Sequence, residues 1–129
     1  MFARRFQDLN IWKESFDLTL TIYRKTQIFP SAETCGLVAQ IRRSSSSVPA
    51  NIAEGFDRQS DTEFARFLYI ARGSLAETVH HLMLSEALKY ISPNEHIELL
   101  NRYNGLSAAI NIFLSRLAVY TKQSRHRST

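Results

Sequence analysis

Between Leu99 and Tyr120 the apolar residues recur at Leu99, Tyr103, Leu106, Ile110, Phe113, Leu117 and Tyr120, in steps that alternate four and three. That spacing holds every one of them on one side of an α-helix and is the seam of helix-on-helix packing. A strand cannot use it, because successive strand residues point to opposite faces. A helix with such a seam requires partner helices. Ile112, Leu114 and Val119 flank it, so this helix is apolar over more of its circumference than one partner needs.

The rest of the chain supplies three partners. Asp8 is placed to cap a first helix running to about Thr26, with an expected buried stripe of Leu9, Trp12, Phe16, Leu20 and Tyr23. Ile11, Leu18 and Ile22 fall off that stripe. Gln27-Ile28-Phe29-Pro30 reads as a connection, since the residue before a proline is pushed out of helical geometry. Ser31 then opens a second helix, with Glu33 near the positive end of its dipole. Its inward face runs through Leu37 or Val38, then Ile41, Ser45, Val48, Ile52 and Phe56. Small residues from Ser44 to Ser47, with Ala50 and Ala53, would let a neighbour approach closely. Pro49 cannot donate to the carbonyl of Ser45, which predicts a kink, with a break into two helices as the alternative.

Ser60-Asp61-Thr62-Glu63 is a capping box that starts a third helix reaching about Ile91. Phe64, Leu68, Ala71, Leu75, Thr78, Leu82 and Ser85 follow one face of it. Gly73 costs ~1 kcal/mol in a helix interior, which predicts a close packing contact there. Ser92-Pro93-Asn94-Glu95 is a second capping box and opens the fourth helix. Residues 123–129 read as a disordered basic tail, leaving 1–122 as the domain. Four long helices with short connections predict an all-α, antiparallel up-down-up-down four-helix bundle, and no segment carries a strand pattern.

A length of 129 residues suits one domain with a real core. No apolar run approaches the ~20 residues of a membrane span, so no membrane partner is expected. The first residues lack the apolar run of a secretory signal. Cys35 is the one cysteine, which excludes an internal disulfide and a cysteine-based zinc site. A cytoplasmic location follows. The net charge of +4 is unevenly placed: no acid follows Glu98, while Arg102, Arg116, Lys122, Arg125 and Arg127 do. One end of the molecule should carry positive potential suited to nucleic acid or an acidic protein, set against the plainer reading of a solvated helix end.

Candidate chemistry is sparse. Glu77 and His80 make a Glu-x-x-His pair of the kind used in bundle di-metal sites, but the second pair and further glutamates are missing, so no metal is expected. Cys35 with His80 or His81 lacks any surrounding acyl-transfer motif. The four glycines are scattered and form no phosphate loop. No enzyme activity and no cofactor are expected. Arg42 and Arg43, beside four serines, suggest phosphate contact, since guanidinium forks bind phosphate oxygens in pairs. The competing reading pairs one of them with a carboxylate such as Glu77 or Glu54. Asn51, Glu54, Arg72 and Glu77 are read as a structural polar network that fixes helix register.

Asp8-Leu9 with Trp12, Phe29-Pro30, Glu33, Gly36-Leu37 and Gln40-Ile41-Arg42-Arg43 form a recognisable series. It continues through Asn51-Ile52-Ala53-Glu54-Gly55, Arg58, Ser60, Glu63-Phe64, Phe67-Leu68, Ile70-Ala71-Arg72-Gly73-Ser74, Glu77 and Leu88-Lys89-Tyr90-Ile91. Over about Phe6 to Leu117 the chain resembles the four-helix-bundle family of 23S ribosomal RNA intervening-sequence proteins. That family also includes the accessory variability protein of diversity-generating retroelements. The resemblance implies an up-down bundle assembled as a homopentameric ring, which would use the surplus apolar positions on helices one, three and four. It implies, for the retroelement branch, a basic ring that binds nucleic acid and a reverse transcriptase; it brings no catalytic residues. The expectation is a non-enzymatic homo-oligomer that binds RNA or DNA through Arg42, Arg43, Arg116, Lys122, Arg125 and Arg127. The alternative is a scaffold that docks a protein such as a reverse transcriptase without binding nucleic acid itself.

Overall fold

The computed structural model describes residues 3–127, and side chains as far as Ala118. The described residues form four α-helices: α1 (Asn10–Thr26), α2 (Leu37–Asp57), α3 (Asp61–Ala87) and α4 (Pro93–Arg127). Single 3-10 turns, Phe6–Asp8 and Ser31–Glu33, precede α1 and α2, and no strand occurs among the described residues. α2 packs on α1 and α3, α3 on α2 and α4, and α4 closes on α1. Leu18, Ile22, Ile41, Ile52, Leu68 and Ile110 form the sealed centre of the core.

α3 and α4 bury the faces that periodicity assigns to them. Phe64, Leu68, Ala71, Leu75, Thr78, Leu82 and Ser85 are all buried on α3, and Leu99, Tyr103, Leu106, Ile110 and Leu117 on α4. α1 does not. Its buried residues are Ile11, Ser15, Leu18, Thr19, Ile22 and Thr26, while Phe16, Leu20 and Tyr23 stay 44%, 41% and 42% exposed. From Phe16 onward the expected stripe is therefore the outer one, while Leu9 is buried and Trp12 packs half-buried against the core. Hydroxyls make the inner face inexpensive to bury: Thr26 donates to Ile22 O at 2.8 Å, and the Thr19 hydroxyl lies 2.9 Å from both Ser15 O and Ser45 O, so neither side chain enters the core unsatisfied.

α2 runs unbroken through Pro49. The carbonyl of Ser45, which proline leaves without its usual donor, lies 2.9 Å from the Thr19 hydroxyl of α1. A defect in one helix is thus repaired by its neighbour, and the repair sets the register of α1 on α2. α2 and α3 approach closely at Gly55, where a Cβ would lie 2.5 Å from Phe67 Cβ and 3.2 Å from Phe64 Cδ1. Gly73 has no such role. A Cβ there would meet nothing within 4 Å, so the close contact expected at Gly73 belongs to Gly55 instead.

The helix ends also depart in part from expectation. Leu9, not Asp8, stands at the N-cap of α1, and Asp8 pairs with Arg5 at 3.4 Å within the 3-10 turn. Ser31 opens only that short turn, and α2 begins at Leu37. Ser60 does cap α3, accepting from the Glu63 amide at 3.3 Å, but the Glu63 carboxylate turns to Arg66 at 2.7 Å rather than back to the cap. α3 stops at Ala87, short of Ile91, because Lys89 takes a left-handed conformation (φ 66°). The amides of Lys89 and Tyr90 then close on the carbonyls of Glu86 and Ser85 at 2.9 Å each. That is a Schellman ending built without glycine, which is why no breaker marks it in the sequence. The Ser92–Glu95 box forms in both directions, at 3.0 and 3.1 Å. α4 stays helical to Arg127, past the boundary expected at Lys122.

Candidate nucleic-acid interface

The six cations expected to meet phosphate separate into two groups. Arg42, on the α1 side of α2, donates from Nε to Thr26 Oγ1 at 2.9 Å and from a terminal nitrogen to Tyr23 O at 3.2 Å. Its guanidinium carbon sits 4.7 Å from the Tyr23 ring centroid. Arg43, one residue on, faces α3 and forms an ion pair with Glu77 at 2.5 Å and a hydrogen bond with Gln40 at 3.1 Å. Both arginines serve as links between helices, and the carboxylate pairing weighed from the sequence is the one Arg43 makes. Arg116 is exposed on α4. Lys122, Arg125 and Arg127 lie on the helical backbone of α4, but their side chains are outside the described ones.

The stretch that carries these cations outruns α3. Phe64, in the first turn of α3, packs edge-on against Phe113 of α4 at 5.7 Å. Helical residues beyond Leu117 therefore continue past the start of α3, by about ten residues or roughly 15 Å. Arg102, further back on α4, is not free for a ligand. It holds Glu14 at 3.0 Å and Asp17 at 2.8 Å, clamping α4 to α1.

Asn51, Glu54, Arg72 and Glu77 do not meet as one network. Asn51 bonds to Ser47 within α2, Glu54 pairs with Arg58 at 3.1 Å, and Arg72 reaches Asn111 of α4 at 3.0 Å while lying 4.9 Å from the Tyr69 ring centroid. The polar contacts that fix α2 against α3 are smaller groups: Thr78 donates to Ser44 Oγ at 2.8 Å, and the hydroxyls of Ser47 and Ser74 are 2.9 Å apart. The sequence places Thr78 and the serine run at the contact but not their bonds to each other, because a hydroxyl at a core position shows no charge and no motif. The signal available was the serine run itself, facing Ser74 and Thr78 at helical spacing.

Glu77 approaches His81 at 3.5 Å rather than gathering His80. Among the described residues, no cluster of three or more His, Cys, Asp or Glu side chains is positioned to hold a metal. Elsewhere, Glu95 closes the far end of the bundle. The Lys25 ammonium at 2.8 Å, helped by the Ser92 amide, holds its carboxyl down at about 2. Burial pushes the Tyr103 hydroxyl up from its ordinary range, and that oxygen has no hydrogen-bond partner among the described residues.

A sequence model of the family described as 23S rRNA-intervening sequence protein matches residues 7–112. The chain belongs to that family. A crystal structure of a protein with unknown function from the S23 ribosomal protein family, from Bacteroides thetaiotaomicron VPI-5482, superposes with a TM-score of 0.74. It is 23% identical, and the match covers 81% of this chain and 97% of that one. At that identity the likeness is one of fold. No curated protein is significantly similar to the chain. Among the described residues, no helix is long and apolar enough to cross a membrane.

Proposed function

We propose that this family member is a non-enzymatic, self-assembling bundle that binds RNA or DNA through the basic, acid-free end of α4. The observation that carries this reading is the overrun of α4: the stretch from Arg116 to Arg127 holds four cations and no acid. Helical backbone continues there beyond the start of α3, where polyanion could approach from several sides. Pairings that fall in number on one helix as they rise on the next support an antiparallel arrangement. Examples are Arg43–Glu77, Ser47–Ser74 and the Gly55–Phe67 approach. The exposed aromatic stripe of α1 supports assembly, and the family resemblance suggests a pentameric ring acting in the cytoplasm. Around a ring, a subunit charge of +4 would be repeated on one face.

Fluorescence anisotropy against a structured RNA and a DNA duplex, titrated over several salt concentrations, tests the proposal. Sub-micromolar binding with a steep log–log salt slope is the expected result; absence of binding near 0.15 M salt rejects it.

One observation favours a second reading, a scaffold that docks a protein such as a reverse transcriptase and touches no nucleic acid itself. Arg42 and Arg43, the cations next to the serine run, are already engaged by groups of this chain, which leaves four of the six cations expected to meet phosphate. Co-purification of a protein partner by a chain that fails the anisotropy test would select this alternative.

A further inference from the structure

Among the described residues four arginines lie over aromatic rings, and the fold of one chain accounts for three of them. Arg58 and Arg66 cover the buried ring of Phe67, and each is held by a nearby carboxylate, Glu54 at 3.1 Å and Glu63 at 2.7 Å. Arg42 lies over Tyr23 and ties α2 to α1. Tyr23 is a near neighbour of Lys25, which meets Glu95 in the first turn of α4, so that contact stands at the end of the bundle away from the α4 cations.

The fourth is different. Arg72 lies 4.9 Å from the ring centroid of Tyr69, and that residue is 54% exposed. Its hydrogen bond goes to the neutral Asn111 of α4 at 3.0 Å, and no carboxylate among the described residues pairs with it. The guanidinium is thus held in place between a ring and an amide with its charge uncompensated. A lone exposed aromatic is ordinary on a protein surface. An exposed ring backed by such an arginine offers what an unpaired nucleic-acid base stacks on. The ring is also left open from the next turn. A helical side chain leans over the residue one turn toward the N-terminus, and Gly73 places none beside Tyr69.

The position fits the α4 cations. Asn111 precedes exposed Arg116 by about 7.5 Å of helix, so the ring borders the start of the acid-free basic stretch. A strand whose phosphates follow Arg116 and the residues beyond it brings its neighbouring bases to Tyr69.

We infer that Tyr69, Arg72 and Asn111 form a stacking platform for an unpaired base, so that the nucleic acid held here is single-stranded where it crosses α3 and α4. The inference rests on the proposed phosphate binding by α4 and names the form of its ligand. Bases inside a duplex are stacked on one another and offer Tyr69 no face, whereas every unpaired base does, which makes the platform tolerant of sequence. Asn111 spends its carbonyl oxygen on Arg72 and keeps its amide nitrogen as a donor for a base edge.

Anisotropy of labelled oligouridine RNA, oligothymidine DNA of the same length and a DNA duplex, with wild type, Tyr69→Leu and Tyr69→Trp, tests it. Leucine keeps apolar bulk at an exposed position and deletes the stacking face; circular dichroism checks that each variant folds. Tyr69→Leu is expected to lose roughly 5- to 150-fold in affinity for both single strands, and Tyr69→Trp to retain it. Duplex affinity and the salt slope should stay within about twofold, because no phosphate contact is removed. A 2-aminopurine base in the DNA strand should be quenched by wild type and Tyr69→Trp but not by Tyr69→Leu. Unchanged single-strand affinity in Tyr69→Leu, or an equal loss for single strand and duplex, overturns the platform while wild-type binding stands. A fall in oligomer mass in Tyr69→Leu with single-strand affinity unchanged assigns the ring to a protein contact and also overturns it. A wild type that binds none of the probes rejects the phosphate-binding reading itself.

Discussion

Replacing Thr19 by valine removes the one donor that serves the Ser45 carbonyl across from Pro49. Both residues are buried, at 8% and 1% exposure, so water cannot substitute. Valine keeps the shape and deletes the hydroxyl, which leaves a buried acceptor unsatisfied at a cost of about 1–3 kcal/mol. The same hydroxyl also lies 2.9 Å from Ser15 O, but that carbonyl retains the donor that an unbroken helix provides. The decisive step is to repeat the change in a Pro49→Ala background. Alanine at that position brings back a backbone N–H for Ser45, so Thr19→Val should now cost less by about 1 kcal/mol or more. Urea unfolding of the four proteins at one fixed concentration gives the coupling directly. At this chain length each kcal/mol appears as roughly 3–6 °C in a parallel thermal melt. Costs that add to within ~0.5 kcal/mol would refute the claim that Thr19 repairs the proline defect.

Gly55→Ala and Gly73→Ala are the same substitution with opposite expected signs. The first forces a Cβ to 2.5 Å from Phe67 and should lose about 1–3 kcal/mol, while the second meets no atom within 4 Å and should gain about 1 kcal/mol in chemical denaturation. Lys89→Gly should stabilise by roughly 1 kcal/mol, because Lys89 holds φ 66° at the α3 ending, and a melt midpoint that falls would count against it. Glu95→Gln probes acid stability. The folded carboxyl titrates at about 2 against an ordinary 4.5, so its contribution is complete above pH 4.5 and lost as pH falls toward 2. With 39% of that side chain exposed, the pair is worth about 1 kcal/mol at most, and the variant should show a flatter stability profile below pH 4.5. Arg42→Ala and Arg43→Ala should leave nucleic-acid affinity within about twofold, whereas alanine at Lys122, Arg125 and Arg127 together should lower the salt slope by roughly one for each phosphate no longer neutralised.

What could be read in advance follows from how each helix is buried. α3 and α4 place their most apolar stripe inward, so spacing alone locates Leu68, Leu75 and Leu82 or Leu99, Leu106 and Ile110. α1 carries two stripes, and spacing cannot say which one faces in. The richer stripe, with Phe16, Leu20 and Tyr23, faces out, while Ser15, Thr19 and Thr26 go inside because their hydroxyls find acceptors there. A polarity scale reads those three as outward residues and so selects the wrong face. For the binding surface, sequence distinguishes an arginine but not its partner. Arg43 finds Glu77 only when α2 and α3 are brought together, and Arg42 finds Tyr23 only when α1 is added. The α4 cations remain the candidates because no acid lies near them in sequence after Glu98.

Sedimentation velocity of the intact chain with a fluorescently labelled RNA, followed at the protein and dye wavelengths together, tests the central claim most directly. The expected result is one boundary, several times the mass of a 14.8 kDa subunit, that carries both signals at low salt and releases the RNA at high salt while the protein boundary holds its mass. RNA sedimenting alone beside an intact protein oligomer would contradict nucleic-acid binding, and a protein boundary at the mass of one subunit would contradict assembly.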